Sequence, residues 1–152
     1  MALADLELQL RPAARDDADF FYAVRRAGFQ PYTEEVFGPW IDANQRQWAD
    51  RDFGELPIEI VEHRGAPIGY VIILREADHV FLDEIALVPS ARRCGLGAEL
   101  VRAAMDRARD AGQELRLSVL VNNPAQQLYA RLGFVITRIE HPRIKMTWTP
   151  PG

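Results

Sequence analysis

The sequence predicts an α+β fold with a mixed, mostly antiparallel central sheet of about seven strands and helices on both faces. Apolar residues that alternate with polar ones, or that run together, mark strands, and apolar residues at helical spacing mark helices. These segments follow one another in the order β-α-α-β-β-β-α-β-α-β-β. Antiparallel hairpins combined with crossover helices indicate a mixed sheet, and 152 residues suit a single domain spanning 1–152.

The composition is typical of an ordinary globular chain. Apolar residues make up 48% and charged residues 26%, unlike in disordered proteins. The net charge of −4 argues against a nucleic-acid surface, which usually needs a basic patch. No signal peptide and no stretch of ~18 apolar residues is visible, so a membrane is not expected as a partner. The single cysteine, Cys94, excludes an intrachain disulfide, and we therefore expect a cytoplasmic protein.

The first strand and the first helix lie near the start of the sequence. Apolar residues alternate with polar ones over 6–11, which predicts a half-buried strand that Pro12 stops. Asp16 and Asp17 stand where the start of a helix favours carboxylates. The apolar residues that follow have helical spacing, and Gly28 is expected to end this helix.

The next segment is rich in aromatic residues. Thr33 is expected to cap a short helix, because two glutamates would fall in its first turn. A break at Gly38 separates it from a second helical stretch over about 40–51. Trp48 and Phe53 are expected in the core.

Three strands are predicted in the middle of the chain. Apolar stretches on either side of 63–66 mark two strands joined by a tight hairpin, in which Gly65 supplies the positive φ. The third strand, 80–88, is apolar on both faces except at Asp83 and Glu84, which indicates a central buried strand.

The remaining elements are two helices and three strands. Apolar residues between 96 and 108 fall at helical spacing, and Gly112 is placed to end that helix. A strand over 115–121 follows, and then a short helix within 124–133, with proline at its start and glycine just past its end. Two further strands, within 134–148, are expected to be antiparallel.

A turn between the buried strand and the long helix suits an anion. Its glycines remove side chains that would keep an anion from the backbone. The first helix amides lack intrahelical partners, and the helix dipole favours negative charge. Taken alone, the glycines are equally compatible with a plain tight turn. The turn consists of Arg92, Arg93, Cys94, Gly95, Leu96, Gly97 and Ala98.

Two well-known phosphate-binding loops do not match this turn. The Gly-Lys-Ser/Thr of nucleotide-triphosphatase loops is absent, and Leu100 stands where a dinucleotide-binding fingerprint has its third glycine. Two motifs instead carry a specific pattern: Leu87-Val88-Pro89 followed by Arg92-x-x-Gly95-x-Gly97, and Asn122-x-x-Ala125-x-x-Leu128-Tyr129-x-x-Leu132-Gly133-Phe134. In both motifs, and in the order of its elements, the chain resembles the GNAT superfamily of N-acetyltransferases over essentially its whole length.

The resemblance implies a GNAT-like fold and direct transfer of an acetyl group from acetyl-CoA, the co-substrate, to a primary amine of a small molecule, peptide or protein. Because the family transfers directly, Cys94 is not expected to carry an acyl group. The amides of 93–98, with Arg92 beside them, are implied to hold the pyrophosphate. The pantetheine arm is implied to lie in a gap between the strand end at 85–88 and 117–121. The other implied cofactor contacts are Ile85, Ala86, Leu87, Val88, Asn122, Ala125 and Tyr129.

The reaction needs an oxyanion donor and an acid. A backbone N–H near Leu87 or Val88 is a candidate to polarise the thioester carbonyl. Tyr129 is the candidate acid for the leaving thiolate, although it also fits the apolar pattern of a core tyrosine on its short helix.

The reaction also needs a base for the acceptor ammonium. Asp83 and Glu84 are the candidates, because an unpaired charge on a buried strand is costly. Successive strand residues point to opposite faces, so only one of them can face the acceptor, and Glu84 is preferred. It is equally consistent with the sequence that they pair with arginines or cap loops.

Tyr32 and Trp40, which flank predicted helix breaks, are the candidate acceptor-binding residues. The three histidines share no spacing, so no metal site is predicted. The resemblance allows a homodimer, which is frequent in such folds. Two other functions stay open: a non-catalytic sensor or interaction module that binds CoA or acyl-CoA, and a small domain that docks a protein through its aromatic segment.

Overall fold

The computed structural model describes residues 2–152. Over these residues, strands and α-helices follow one another in the predicted order, with single 3-10 turns at Leu3–Leu6, Arg15–Asp17 and Pro89–Ala91. The elements are β1 (Leu8–Pro12), α1 (Ala18–Phe37), α2 (Asp42–Glu55), β2 (Ile58–His63), β3 (Ala66–Arg75), β4 (His79–Leu87), α3 (Leu96–Asp110), β5 (Glu114–Leu120), α4 (Ala125–Arg131), β6 (Val135–Glu140) and β7 (Arg143–Trp148).

Within 2–152, the strands form a seven-stranded sheet in the order β1-β2-β3-β4-β5-β7-β6. The pairs β1/β2, β2/β3, β5/β7 and β6/β7 are antiparallel, whereas β4 and β5 are parallel. Parallel neighbours need a crossover connection, and α3 supplies it. The predicted fold class, a mixed and mostly antiparallel α+β sheet, is therefore confirmed.

The chain forms two compact units, one of residues 1–72 and 84–97, the other of 73–83 and 98–152. In the first unit, Phe21 of α1 is fully buried. Its ring packs edge-on against Tyr70 of β3, with centroids 4.6 Å apart, and lies 5.7 Å from Phe53 of α2. Burying a side chain of this size stabilises the fold by about 1.5–3 kcal/mol. Phe53, which was expected in the core, is half-buried and contacts the core through this ring pair.

Gly28 does not end the first helix, as the sequence suggested. The helix continues to Phe37 and ends at Gly38, where φ is 94°. A Cβ placed on Gly28 would lie 3.6 Å from Cβ of Ala86, so this face of α1 packs closely against β4. Glycine inside a helix costs only about 1 kcal/mol relative to alanine. Tertiary packing of that face outweighs this cost.

Thr33 does not cap a new helix but lies inside α1. Hydrogen bonds from the Arg26 side chain to Gln30 and from Gln30 to Glu34 link successive turns on either side of Pro31. The helix therefore continues through a residue that normally interrupts it. The second helical stretch is present, but it runs from Asp42 to Glu55 rather than over about 40–51.

The first strand begins at Leu8, two residues later than its apolar pattern suggested. Glu7 has a φ of 58°, which breaks the extended backbone after the turn at Leu3–Leu6. The predicted hairpin is present: Arg64 and Gly65 both have positive φ, at 54° and 82°. Positive φ at both central residues suits the twist of a two-residue hairpin.

The second unit has the helix and strands expected in the last third of the chain. The buried face of α3 carries five of the six residues at helical spacing, and the sixth, Leu96, is half-buried. The five are Leu100, Val101, Ala104, Met105 and Ala108. Gly112 follows α3 with a φ of 66°. None of the helices in the described part of the chain is long and apolar enough to cross a membrane.

Candidate active site

The turn between β4 and α3 belongs to the first unit, up to Gly97. Arg93 and Gly95 have left-handed φ values of 62° and 82°, and α3 begins at Leu96. Left-handed residues in a turn are typical of concavities in which successive N–H groups point at one anion. The first amides of α3 add unpaired donors at the positive end of its dipole.

The two glycines of this turn are present for different reasons. Gly95 has a conformation that residues with side chains rarely adopt. Gly97 lies within α3, has no positive φ, and a Cβ added to it would meet nothing within 4 Å. Neither backbone conformation nor packing of the protein itself requires glycine there. Open space above this helix start leaves room for the phosphate groups that the family resemblance implies.

The structure also shows where the arginine and cysteine side chains of this turn lie. Nε of Arg92 donates to the carbonyl of Leu87 at 3.0 Å, which ties this arginine to the end of β4. Arg93 is exposed. Cys94 is exposed, and its thiol donates to the carbonyl of Ala91 at 3.0 Å. The positive charges therefore lie on the surface of the turn.

The end of β4 approaches β3 very closely. The amide of Val88 donates to the carbonyl of Ile68 at 2.8 Å. A Cβ placed on Gly69 would lie 2.2 Å from the carbonyl oxygen of Ala86 and 3.0 Å from Cα of Leu87. Of the two amides considered as oxyanion donors, the amide of Val88 is therefore already used within the protein.

Glu84 is held by a buried cluster in the first unit. Its carboxylate accepts hydrogen bonds from Nε of Arg25 at 3.1 Å, from Nη2 of Arg25, and from the hydroxyl of Tyr70 at 2.7 Å. Nη2 of Arg25 also donates to Asp52 of α2 at 3.0 Å. The alternative that Glu84 pairs with an arginine is thus observed.

Two groups in this cluster have shifted pKa values. Burial lowers the pKa of Arg25, but the charge and hydrogen bonds of Glu84 raise it more, so the net shift is upward. Burial, together with the neighbouring Glu84 charge, raises the pKa of Tyr70 well above its ordinary value. Both groups therefore keep their protons at neutral pH, and both act as hydrogen-bond donors to Glu84.

The sequence interpretation missed Arg25, Asp52 and Tyr70. One signal was available for Arg25: it lies one helical turn from Phe21, on the apolar face of α1 that also carries Val24. A charged residue on such a face needs a buried partner. Asp83, the other candidate base, is half-buried, and strand alternation turns it away from the face of β4 that carries Glu84.

The whole second motif, from Asn122 to Phe134, lies in the second unit. Tyr129 of α4 is 7% exposed and its ring lies 5.7 Å from that of Phe134. Burial raises the pKa of Tyr129 to about 12. Asn122 lines an open cavity of about 330 Å³ at the end of β5. The amide of Ala125 is capped by the side chain of Asn123 at 2.9 Å.

The aromatic segment is arranged differently from the prediction. Tyr32 lies inside α1 rather than beside a helix break. Trp40 is fixed before α2, where its indole donates to the hydroxyl of Tyr22 at 3.0 Å and to Asp42 at 3.2 Å. Trp48, expected in the core, is 48% exposed. It lies on a helix with few apolar neighbours, so α2 buries little of its surface.

Comparisons with known proteins agree with the observed fold. Among solved structures, the chain is similar to the PaiA N-acetyltransferase of Thermoplasma acidophilum in complex with coenzyme A (TM-score 0.74, 16% identity, 94% of this chain and 99% of that one). It is also similar to an acetyltransferase of Thermus thermophilus (0.71, 19%, 97% and 99%) and to yncA of Salmonella typhimurium with its cofactor acetyl-CoA (0.63, 20%, 94% and 94%).

A search of curated proteins gives no match. The sequence model of the acetyltransferase (GNAT) family matches residues 15–134, which include both motifs and all of the predicted site residues. That match covers most of the chain. Together with the fold, it shows that the chain belongs to the GNAT acetyltransferase family and is an acyltransferase.

Proposed function

We propose that this protein transfers the acetyl group of acetyl-CoA directly to a primary amine of a small molecule, peptide or protein. One observation carries the proposal: the turn between β4 and α3, in which the left-handed Arg93 and Gly95 lead directly to the first amides of α3, suits a diphosphate. Bound acetyl-CoA would supply the activated acetyl thioester. That related folds have been solved with coenzyme A and with acetyl-CoA supports this choice of donor.

In this proposal the turn residues 92–98 bind the pyrophosphate, and Ile85, Ala86, Leu87 and Val88 line the pantetheine arm. The amide of Leu87 is the preferred oxyanion donor, since the amide of Val88 donates to Ile68. Asn122, Ala125 and Tyr129 keep the cofactor contacts that the family resemblance implies. Tyr32 and Trp40 remain the proposed acceptor contacts. Trp40 is the better supported of the two, because hydrogen bonds fix its ring.

The proton leaves the acceptor ammonium through water to a carboxylate on β4, and Glu84 is preferred to Asp83 for this role. Glu84 is oriented by three hydrogen bonds and immediately precedes Ile85, where the proposed pantetheine segment begins. Alanine variants of both acids test the choice. If neither shifts the acidic limb of the pH–rate profile, the base lies elsewhere.

Tyr129→Phe is expected to lower kcat by about 10- to 100-fold with little change in KM for acetyl-CoA. With a pKa near 12, the phenol stays protonated at every usual pH and can donate to the leaving thiolate. Because the thiol of CoA has a pKa of ~8.5, complete transfer of the Tyr129 proton to the thiolate is energetically unfavourable. We therefore expect the proton to move only as the C–S bond breaks. An unchanged kcat from pH 6 to 10 in the variant would remove Tyr129 from the chemistry.

Release of free thiol from acetyl-CoA, measured over a panel of small amines and peptides, tests the function itself. Turnover with at least one amine is expected. Thermal stabilisation by CoA without any turnover would favour the alternative, a CoA-binding sensor. If CoA does not stabilise the protein and no amine is acetylated, the third function, a domain that docks a protein, is favoured.

Two finer proposals accompany this function. The single cysteine favours a cytoplasmic protein. A homodimer is the oligomeric state that we propose on the family resemblance. Light scattering of the purified protein tests the second proposal.

A further inference from the structure

A chain of three charges joins α1, α2 and β4 in the first unit. Arg25 stands in its centre, with Glu84 on one side and Asp52 on the other. The side chains are mostly buried: Arg25 is 11% exposed, Glu84 19% and Asp52 26%. The hydroxyl of Tyr70, a fully buried residue of β3, completes the set of groups that face Glu84.

Arg25 and Tyr70 form a clamp around the carboxylate of Glu84. Nε and Nη2 of one guanidinium donate to its two oxygens, which is the planar fork that orients a carboxylate. Tyr70 donates to Oε1 at 2.7 Å. Such a carboxylate cannot rotate without losing charge-assisted hydrogen bonds. Removing one partner of a buried pair leaves an uncompensated charge, which is far more costly than loss of a surface pair.

Asp52 gives the clamp a net negative charge. One positive and two negative groups share the cluster, so Arg25 orients Glu84 without cancelling the attraction for a protonated amine. An isolated Arg–Glu pair at this place would be neutral. The cluster also holds α2, because Asp52 lies near the end of that helix.

We propose that Arg25 is a positioning residue, which holds the carboxylate of Glu84 in orientation for the acceptor amine, and that Asp52 sets the net charge of the cluster. This inference rests on the proposed function. A water held by Glu84 relays one proton of the acceptor ammonium to the carboxylate, which passes it on to solvent. The freed nitrogen lone pair then forms the C–N bond, the C–S bond breaks, and the CoA thiolate leaves with a proton from Tyr129, which the second N–H proton of the amine replaces. Glu84 does not retain the proton, because the neutral acid would lose its charge-assisted hydrogen bonds to Arg25.

The two neighbours of Glu84 should shift its titration in opposite directions. Loss of a positive neighbour disfavours a carboxylate, whereas loss of a negative neighbour favours it. In Arg25→Met, we expect the acidic limb of the kcat/KM profile to move to higher pH, with activity at pH 7 about 10- to 100-fold lower and partly regained in alkali. In Asp52→Asn, the limb should move to lower pH. KM for acetyl-CoA should change little in either variant.

Carboxyl ¹³C NMR of protein labelled at glutamate follows the protonation of Glu84 directly, without enzymatic turnover. The Glu84 resonance should titrate at higher pH in Arg25→Met than in the wild type, and at lower pH in Asp52→Asn. The control is Arg46→Met, which removes an α2 arginine whose ion pairs, with Asp19 at 2.7 Å and Asp50 at 2.9 Å, lie at the surface. This variant should leave both the pH profile of kcat/KM and the NMR titration of Glu84 unchanged.

The possible outcomes separate the inference from the function. Opposite shifts in the NMR titration without turnover in the wild type would support the clamp and overturn the proposed function. Activity that is lost equally at all pH values, with no opposite shifts, would show that Arg25 only holds the fold together. If Arg25→Met does not fold, Asp52→Asn decides: a downward shift supports the clamp, and an unchanged titration overturns it.

Discussion

A Gly69→Ala variant is expected to lose about 3 kcal/mol of stability or more, which lowers its unfolding temperature by about 6–12 °C. The new Cβ would lie 2.2 Å from the carbonyl oxygen of Ala86, 2.8 Å from Cδ2 of Leu87 and 3.0 Å from its Cα. Two of these three atoms belong to the main chain of β4, so no side-chain rotation relieves the clash. Either β3 or β4 must move.

One of these two strands, β4, carries the proposed donor amide of Leu87. The hydrogen bond from Val88 to Ile68 holds the end of β4 beside Gly69, and the β2/β3 register shifts between Val61 and Glu62 next to it. We therefore expect any Gly69→Ala protein that still folds to show a reduced kcat as well.

Gly54→Ala is the matched control for Gly69→Ala. Gly54 lies in α2, has no positive φ, and an added Cβ would meet nothing within 4 Å. This change should leave the protein unaffected or stabilise it by up to about 1 kcal/mol. Differential scanning calorimetry measures both variants. Equal unfolding temperatures for Gly69→Ala and the wild type would contradict the close approach of β3 and β4.

The second large effect is expected from Gly97→Glu, which should weaken CoA binding by about 100-fold or more while raising stability by about 1 kcal/mol. The first turn of a helix favours a carboxylate, and glycine is a poor helix residue. The same carboxylate would occupy the open space above the turn, where we place the pyrophosphate. Like charges placed next to each other in a binding site cost several kcal/mol of binding free energy.

Gly97→Gln separates charge from size in this experiment. It has nearly the shape of the glutamate variant without its charge, so CoA should bind it more weakly than the wild type but more tightly than Gly97→Glu. Isothermal titration calorimetry with CoA gives the affinities, and thermal unfolding without CoA gives the stabilities. A folded Gly97→Glu protein that binds CoA as tightly as the wild type would show that the turn does not hold the pyrophosphate.

Local patterns predicted most of the fold. The order of strands and helices, the Arg64-Gly65 hairpin and the long helix from Leu96 depend on residues a few positions apart, and the structure confirms them. The extent of α1 depended on packing. Gly28 and Thr33 carry the signals of a helix end and a helix start, yet the contact of this helix with Ala86 outweighs them.

The sequence by itself predicted the donor side of this protein. The turn at 92–98 alone indicates only an anion site at a helix start, and the motif from Asn122 to Phe134 is what adds the resemblance to enzymes that use CoA. Only the tertiary structure decided the state of Glu84. Its partner Arg25 is 59 positions away, and Asp52 and Tyr70 come from two further elements. The charge and orientation of a buried carboxylate are set by the groups that folding brings to it, and no local pattern records them.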